Sequence, residues 1–276
     1  MGRGGSTAQG RRAQRDPDRR AADPVTPATR TLRLTLAYDG TGLHGWQIQP
    51  DRLTVQGLLA EACARILGTP PTIVGASRTD AGVHALRQVA SLRTASPIGP
   101  AVLARALNAL LPPAVRVLEA REAPPGFSAR RAARGKRYAY LIDRSPVADP
   151  FLRHFAWRVP YALDAAAMVK ALASLRGTHD FSAFCAAPGR GRTPRCTLRS
   201  ARIVTQGTRL AVLLSADSFL HHMVRNIVGS LVEVGRGARQ PEWMAEVLAS
   251  RNRALAGPTA PARGLVLLRV MYGGDG

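Results

Sequence analysis

From residue 31 onward the hydrophobic pattern alternates between the strand period and the helix period in a fixed order, and that order leaves few folds open. Leu32, Leu34 and Leu36 alternate with Arg33 and Thr35, giving a strand with one apolar face. Val55, Leu58, Leu59, Ala62, Cys63, Ile66 and Leu67 then recur at helical spacing, with Thr54 at the N-cap position and Gly68 just past the end. Thr72-Ile73-Val74 and residues 86–92 predict two strands. Val102, Leu103, Ala106, Leu107 and Leu110 predict a second helix, stopped by Pro112-Pro113, and residues 115–118 a further strand. Strand, helix, strand, strand, helix, strand is the split βαββαβ, or ferredoxin-like, order: an antiparallel sheet with two helices on one face.

Residues 120–135 are dense in Pro and Arg and are read as the boundary between two domains, 31–134 and 135–276. The second part repeats the order. Strand 137–142 is followed by a helix carrying Leu163, Met168, Leu172 and Leu175. A hairpin across Gly207, helices at 219–234 and 241–249, and a closing strand at 265–270 complete it. The expected architecture is α+β: two ferredoxin-like halves, their antiparallel sheets side by side around a central basic cleft.

Lys and Arg number 39 against 18 Asp and Glu, a formal net charge of +21. Such a surface concentrates polyanions, and nucleic acid is the default partner. Nearly all the cations are Arg, since Lys occurs only at 136 and 170; coding bias explains that exchange but not the excess of bases. Residues 1–30, with seven Arg, three Asp and no hydrophobic period, read as a disordered basic extension. Cys63, Cys185 and Cys196 show no paired metal spacing and suit a reducing cytoplasm. No stretch reaches the roughly 18 apolar residues of a membrane span, and the N-terminus lacks a signal peptide's apolar core.

Two stretches concentrate chemistry. Gly75-Ala76-Ser77-Arg78-Thr79-Asp80-Ala81-Gly82-Val83-His84-Ala85 lies between two strands and displays Asp80 on a turn. The carboxylate there is either a reacting group or a simple turn cap. Helix 219–234 has a core stripe of Leu220, Met223, Val224, Ile227, Val228 and Leu231. Its other face carries His221, His222, Arg225, Asn226, Gly229 and Ser230, a donor-rich face turned toward a cleft, an anionic ligand or a second subunit. A metal site would need a third ligand at suitable spacing, and the sequence supplies none. Tyr138 and Tyr140, two apart on one strand beside Lys136 and Arg137, suit base stacking and phosphate contact.

Read in order, Leu36-Ala37-Tyr38-Asp39-Gly40-Thr41, Gly45-Trp46-Gln47, Arg78-Thr79-Asp80-Ala81-Gly82-Val83-His84, Lys136-Arg137-Tyr138-Ala139-Tyr140 and His221-His222-Met223-Val224-Arg225-Asn226-Ile227-Val228-Gly229 closely resemble the tRNA pseudouridine synthase A family, over about residues 32–271. The Arg-rich run 189–192 and the basic extension fall outside the likeness. The resemblance implies a homodimeric, cytoplasmic isomerase that needs no cofactor or metal. It would convert uridines at tRNA positions 38, 39 and 40, in the anticodon stem-loop, to pseudouridine. It places the catalytic aspartate at Asp80, a substrate-contacting tyrosine at Tyr138, an arginine that holds the target nucleotide flipped out at Arg78, and the aspartate's partner at Arg225. Two other readings fit the charge and the tyrosines: a non-catalytic RNA-binding protein with RRM-like sheets, and a synthase of the same fold with another RNA target.

Overall fold

The computed structural model describes residues 1–2, 29–186 and 193–273, so most of the basic extension and the run 189–192 lie outside the described residues. The first strand, β1 (Arg30–Tyr38), buries Leu32, Leu34 and Leu36 completely. Helix α1 (Val55–Leu67) starts where Thr54 accepts the Gly57 amide at 3.2 Å and stops at Gly68, whose φ is 76°. Then come β2 (Ile73–Gly75), β3 (His84–Thr94), α2 (Pro100–Leu110) and β4 (Val115–Ala123). Asn108 ties α2 to β4: its side-chain amide gives to the Val117 carbonyl and its oxygen takes the Val117 N–H, both at 2.8 Å.

The second part runs β5 (Gly135–Asp143), β6 (Trp157–Arg158), α3 (Ala165–Ala173), β7 (Gly177–Asp180), β8 (Arg195–Gln206), β9 (Arg209–Ala216), α4 (Met223–Gly235), α5 (Trp243–Ser250) and β10 (Leu265–Met271). The strands β6 and β7 were not foreseen, being only two and four residues long and without a readable period. The ten strands of the described residues join one sheet, in the order β4-β1-β3-β10-β5-β9-β8-β7, with β2 beside β3 and β6 beside β5. The last strand therefore sits between β3 and β5. It pairs in parallel with β3 and antiparallel with β5.

Helix α4 differs from expectation at its start. It begins at Met223 rather than residue 219, because His222 has φ 59°, in the left-handed region, and breaks the helical path. His221 and His222 thus precede the helix instead of lying on its polar face. The C-terminal part of the polar face, Asn226 to Ser230, does not meet a cleft. Asn226 and Ser230 are fully buried against residues 253–260. Asn226 donates to the Phe184 carbonyl at 2.8 Å and accepts from Thr259 at 2.6 Å and Arg253 at 3.1 Å. Ser230 accepts the Gly257 amide at 2.9 Å. Gly229 permits the approach, since a Cβ there would lie 1.7 Å from the Pro258 carbonyl oxygen.

Gly229→Ala therefore forces α4 and the 257–260 segment apart. It should destabilise the protein by at least about 1–3 kcal/mol, the cost of overpacking a filled core. Urea unfolding reads this directly, and an unchanged midpoint would contradict the packing argument.

Candidate active site

The Asp80 loop connects β2 to β3 and is tied at both ends. Ala76 N–H gives to the Val89 carbonyl at 2.8 Å, and Val83 N–H closes turn 80–83 on the Asp80 carbonyl at 3.1 Å. Beneath it runs the segment around Trp46, whose N–H gives to the Thr79 carbonyl at 3.0 Å. Gly45 makes that contact possible; a Cβ there would lie 2.6 Å from the Thr79 oxygen.

Between these anchors the side chains alternate as in an extended chain. Ser77 and Thr79 are buried, Arg78 is exposed and Asp80 is half-buried. The inward pair enters a hydrogen-bond network centred on Gln88, which is wholly buried. Its Oε1 accepts the Ser77 and Val89 amides, each at 3.2 Å. Its Nε2 gives to the Ser77 carbonyl at 2.8 Å and to the Tyr38 hydroxyl at 3.2 Å. Tyr38 in turn shares a 2.8 Å bond with Thr79 Oγ1, and Ser77 Oγ a 2.8 Å bond with the Tyr138 hydroxyl. Two side chains clamp the backbone on either side of Arg78, leaving Arg78 and Asp80 to face outward.

They face a cavity of about 740 Å³, whose walls include Arg78, Arg130, Lys136, Tyr138, His221 and His222. Tyr138 is 6% exposed, with Phe219 edge-on to its ring at 5.1 Å. Burial pushes its phenol up to about 12, against the Ser77 hydrogen bond, so it stays protonated at neutral pH. Tyr140 does not share this site. It is fully buried, its hydroxyl bonded to the Pro261 carbonyl at 2.7 Å. His84 is likewise a brace, buried with Nδ1 accepting the Gly40 amide at 3.0 Å and Nε2 2.9 Å from the His154 carbonyl.

Arg225, on the first turn of α4, gives an N–H to Asp80 Oδ2 at 3.2 Å while its Nε holds the Ala260 carbonyl at 2.8 Å. His222 Nε2 lies 3.3 Å from the same oxygen. His221 Nε2 is 3.9 Å from Oδ1, and the two imidazoles stack with centroids 3.9 Å apart. Burial moves the His222 imidazole below its usual range, against the pull of Asp80. Oδ2 is thus engaged twice, whereas Oδ1 has no hydrogen bond among the described residues. The expectation that no third ligand stands near the two histidines is corrected here: Asp80, remote in sequence, brings a carboxylate to both.

Of the residues singled out from sequence, Asp80, Tyr138, Arg78 and Arg225 all reach this region. Arg78 makes no ion pair or hydrogen bond among the described residues. Ser77 and Gln88 were missed. Gln88 sits within a strand pattern as one polar residue among several, and its burial has no signal in a single sequence.

A carboxylate paired to an arginine inside a cation-walled cleft defines an enzyme site suited to an anionic substrate. A family model described as tRNA pseudouridine synthase matches residues 35–130 and 171–273, spans that contain Asp80 and Arg225. The chain belongs to this family and is an isomerase. It is 46% identical over 243 residues to a tRNA pseudouridine synthase A of Moorella thermoacetica, covering 87% of this chain and 99% of that protein. It is 44% identical to the protein of that name from Myxococcus xanthus, with 87% and 91% covered. To that of Methylibium petroleiphilum it is 45% identical, with 87% and 93% covered.

Gln88→Leu removes four bonds at once and leaves Ser77 amide and carbonyl groups buried without partners, at about 1–3 kcal/mol each. The loop should loosen. Single-turnover rate should fall more than tenfold while RNA affinity changes little, and Gln88→Glu, which keeps the acceptor, should recover part of it. Equal losses of rate and affinity would count against a positioning role.

Proposed function

We propose that the protein converts uridine to pseudouridine at positions 38, 39 and 40 of the tRNA anticodon stem-loop, with Asp80 as the nucleophile acting on a flipped-out base. The observation that carries the reading is the Asp80 carboxylate, held through Oδ2 by Arg225 at the wall of the cavity. The relatives' printed names supply tRNA and pseudouridine; the three positions, the homodimer and the cytoplasmic location rest on the motif resemblance. The two sequence halves are proposed as ferredoxin-like repeats, since β4-β1-β3 with β2 and β10-β5-β9-β8 have corresponding orders.

The chemistry breaks the bond from ribose carbon 1′ to uracil nitrogen 1 and forms one to carbon 5. The carbon 5 proton is lost and nitrogen 1 gains one, so the net change is an isomerisation. A carboxylate can hold one fragment covalently while the base turns, by adding to uracil carbon 6 or to the ribose. It must be ionised to do so. The Arg225 guanidinium, 3.2 Å from Oδ2, stands as its counter-charge. Extracting a stacked base costs a few kcal/mol. Arg78, exposed and without an internal partner among the described residues, is suited to fill the vacated space, and the Tyr138 ring to stack on the uracil at about 1–3 kcal/mol. The closed site also shields the separated fragments from hydrolysis.

A non-catalytic RNA-binding protein has no use for this arrangement. An ionised carboxylate deep in a phosphate-binding cleft repels the ligand unless it reacts. Incubation with unmodified tRNA transcripts followed by chemical mapping of pseudouridine tests the whole reading. Pseudouridine at 38–40 supports it, modification elsewhere means another RNA target, and none at all means binding only.

Asp80→Asn and Asp80→Ala should abolish isomerisation while tRNA affinity stays within a few-fold. Turnover near the wild-type rate in either variant would remove Asp80 as the nucleophile. Tyr138→Phe should be far milder than Tyr138→Leu, because Phe keeps the stacking face. The Leu variant should lose roughly ten- to a hundredfold in rate, matching the stacking energy. The raised phenol pKa argues against a phenolate base at this position. If both variants are equally dead in single turnover while still binding tRNA, proton transfer by the hydroxyl replaces stacking as its role.

A further inference from the structure

We propose that Asp80, His221 and His222 form a binding site for a transition-metal ion of the zinc type, and that metal and RNA substrate exclude one another there. The site binds an inhibitor in this view and not a cofactor. Two imidazole nitrogens and one carboxylate are the donor set of a three-ligand zinc centre with its fourth position open.

One donor atom from each of the three lies within 4.8 Å of the other two; His221 Nε2 is 3.9 Å from Oδ1, and His222 Nε2 is 3.3 Å from the neighbouring Oδ2 of the same carboxylate. Zinc bonds of about 2.0–2.2 Å place neighbouring ligands of a tetrahedron roughly 3.4 Å apart. The cluster is therefore near the required size, and an ångström or so of closure completes it. Closure falls mainly on His221, whose side chain is 49% exposed and has room to move. The left-handed backbone at His222 holds its imidazole toward Asp80, and stacking on His221 orders the pair.

Ion choice follows from the ligands. Imidazole favours Zn²⁺, Cu²⁺, Ni²⁺ and Co²⁺, whereas Mg²⁺ demands oxygen and keeps its water, so the magnesium that accompanies tRNA does not compete. Charge opposes tight binding. Arg225 stands 3.2 Å from Oδ2, and Arg78, Arg130 and Lys136 line the same cavity. The ion takes Oδ1, the oxygen without a hydrogen bond among the described residues. It belongs to the carboxylate assigned above to nucleophilic attack, and the metal would fill space the target base must enter. The inhibition half of the proposal rests on that assignment; the binding half does not.

Cobalt reports the binding half directly, because four-coordinate Co²⁺ absorbs far more strongly in the visible than the hydrated ion. Co²⁺ titrated into the full chain should give saturable tetrahedral bands that vanish in His221→Ala and in Asp80→Ala. They should persist in Cys185→Ser, which removes the thiol lining the same cavity. Unmodified tRNA should erase the bands, while an equal phosphate concentration of RNA without the stem-loop should not. In single-turnover assays at fixed Mg²⁺, Zn²⁺ should slow the wild-type enzyme and EDTA restore it. His221→Ala should raise the half-inhibiting zinc concentration by at least about tenfold. Absence of the bands, bands that survive loss of both His221 and Asp80, or bands lost in Cys185→Ser would overturn the site. Bands that coexist with bound tRNA, or full activity at saturating Zn²⁺, would overturn the exclusion. Turnover by Asp80→Asn would sink the nucleophile reading separately and leave the cobalt spectra as they are.

Discussion

The site depends on one ion pair, Arg225 to Asp80, whose partners belong to distant parts of the chain. A carboxylate set at the wall of a cleft needs a partner that both fixes its orientation and matches its charge. Supplying that charge from α4 requires the start of α4 and the loop before β3 to meet. The parallel pairing of β10 with β3, His84 opposite Val266 and Ala85 opposite Leu267, brings this about. Parallel neighbours are entered from the same end. The loop leading into β10 therefore lies beside the loop leading into β3. That first loop also holds Arg225 twice, its Ala260 carbonyl taking Arg225 Nε and its Ala260 amide reaching the Arg225 carbonyl at 3.1 Å. A strand order chosen for the sheet thus positions a charge for the chemistry.

Much of the element order was legible because each element carries its own period. The α1 boundaries needed only Thr54 and Gly68, both of which act locally. The position of β10 was not legible, since nothing in residues 265–271 says which two strands they will divide. The start of α4 misled for a physical reason. Leu220 is buried and continues the apolar spacing of the helix, yet it packs from a turn. Periodicity reports which residues are buried, and a buried turn mimics a helix when its spacing agrees.

The candidate site divides the same way. Asp80, Arg78, Tyr138 and Arg225 stand in distinctive local motifs, so they were singled out. The helical pattern puts Asn226 and Ser230 on a face open to a cleft, a ligand or a second subunit, because polar helix residues usually mark an open face. Here they bond the 253–260 segment, which carries almost no signal of its own. Gln88 was overlooked because a buried amide looks like a surface amide until its four partners are in place.

The same distinction governs the charge. A net charge of +21 suggests a surface given over to RNA, but several arginines are committed to the fold. Arg116 spends one nitrogen on the carbonyls of Leu111, Pro112 and Val115. Arg158 binds the Pro146 carbonyl, Arg144 the Gly207 carbonyl and Arg263 the Ala156 carbonyl. A guanidinium offers five donors in a rigid plane, so it can close a loop on its carbonyls where a lysine would make a single flexible contact. These side chains still add to the long-range field that draws in a polyanion. They cannot also fork around a phosphate without releasing the loops they hold. Cations on the cavity wall such as Arg78 and Arg130, both exposed, carry no such commitment among the described residues. Steering belongs to the whole charge, and close contact with a polyanion to the arginines that the fold leaves uncommitted.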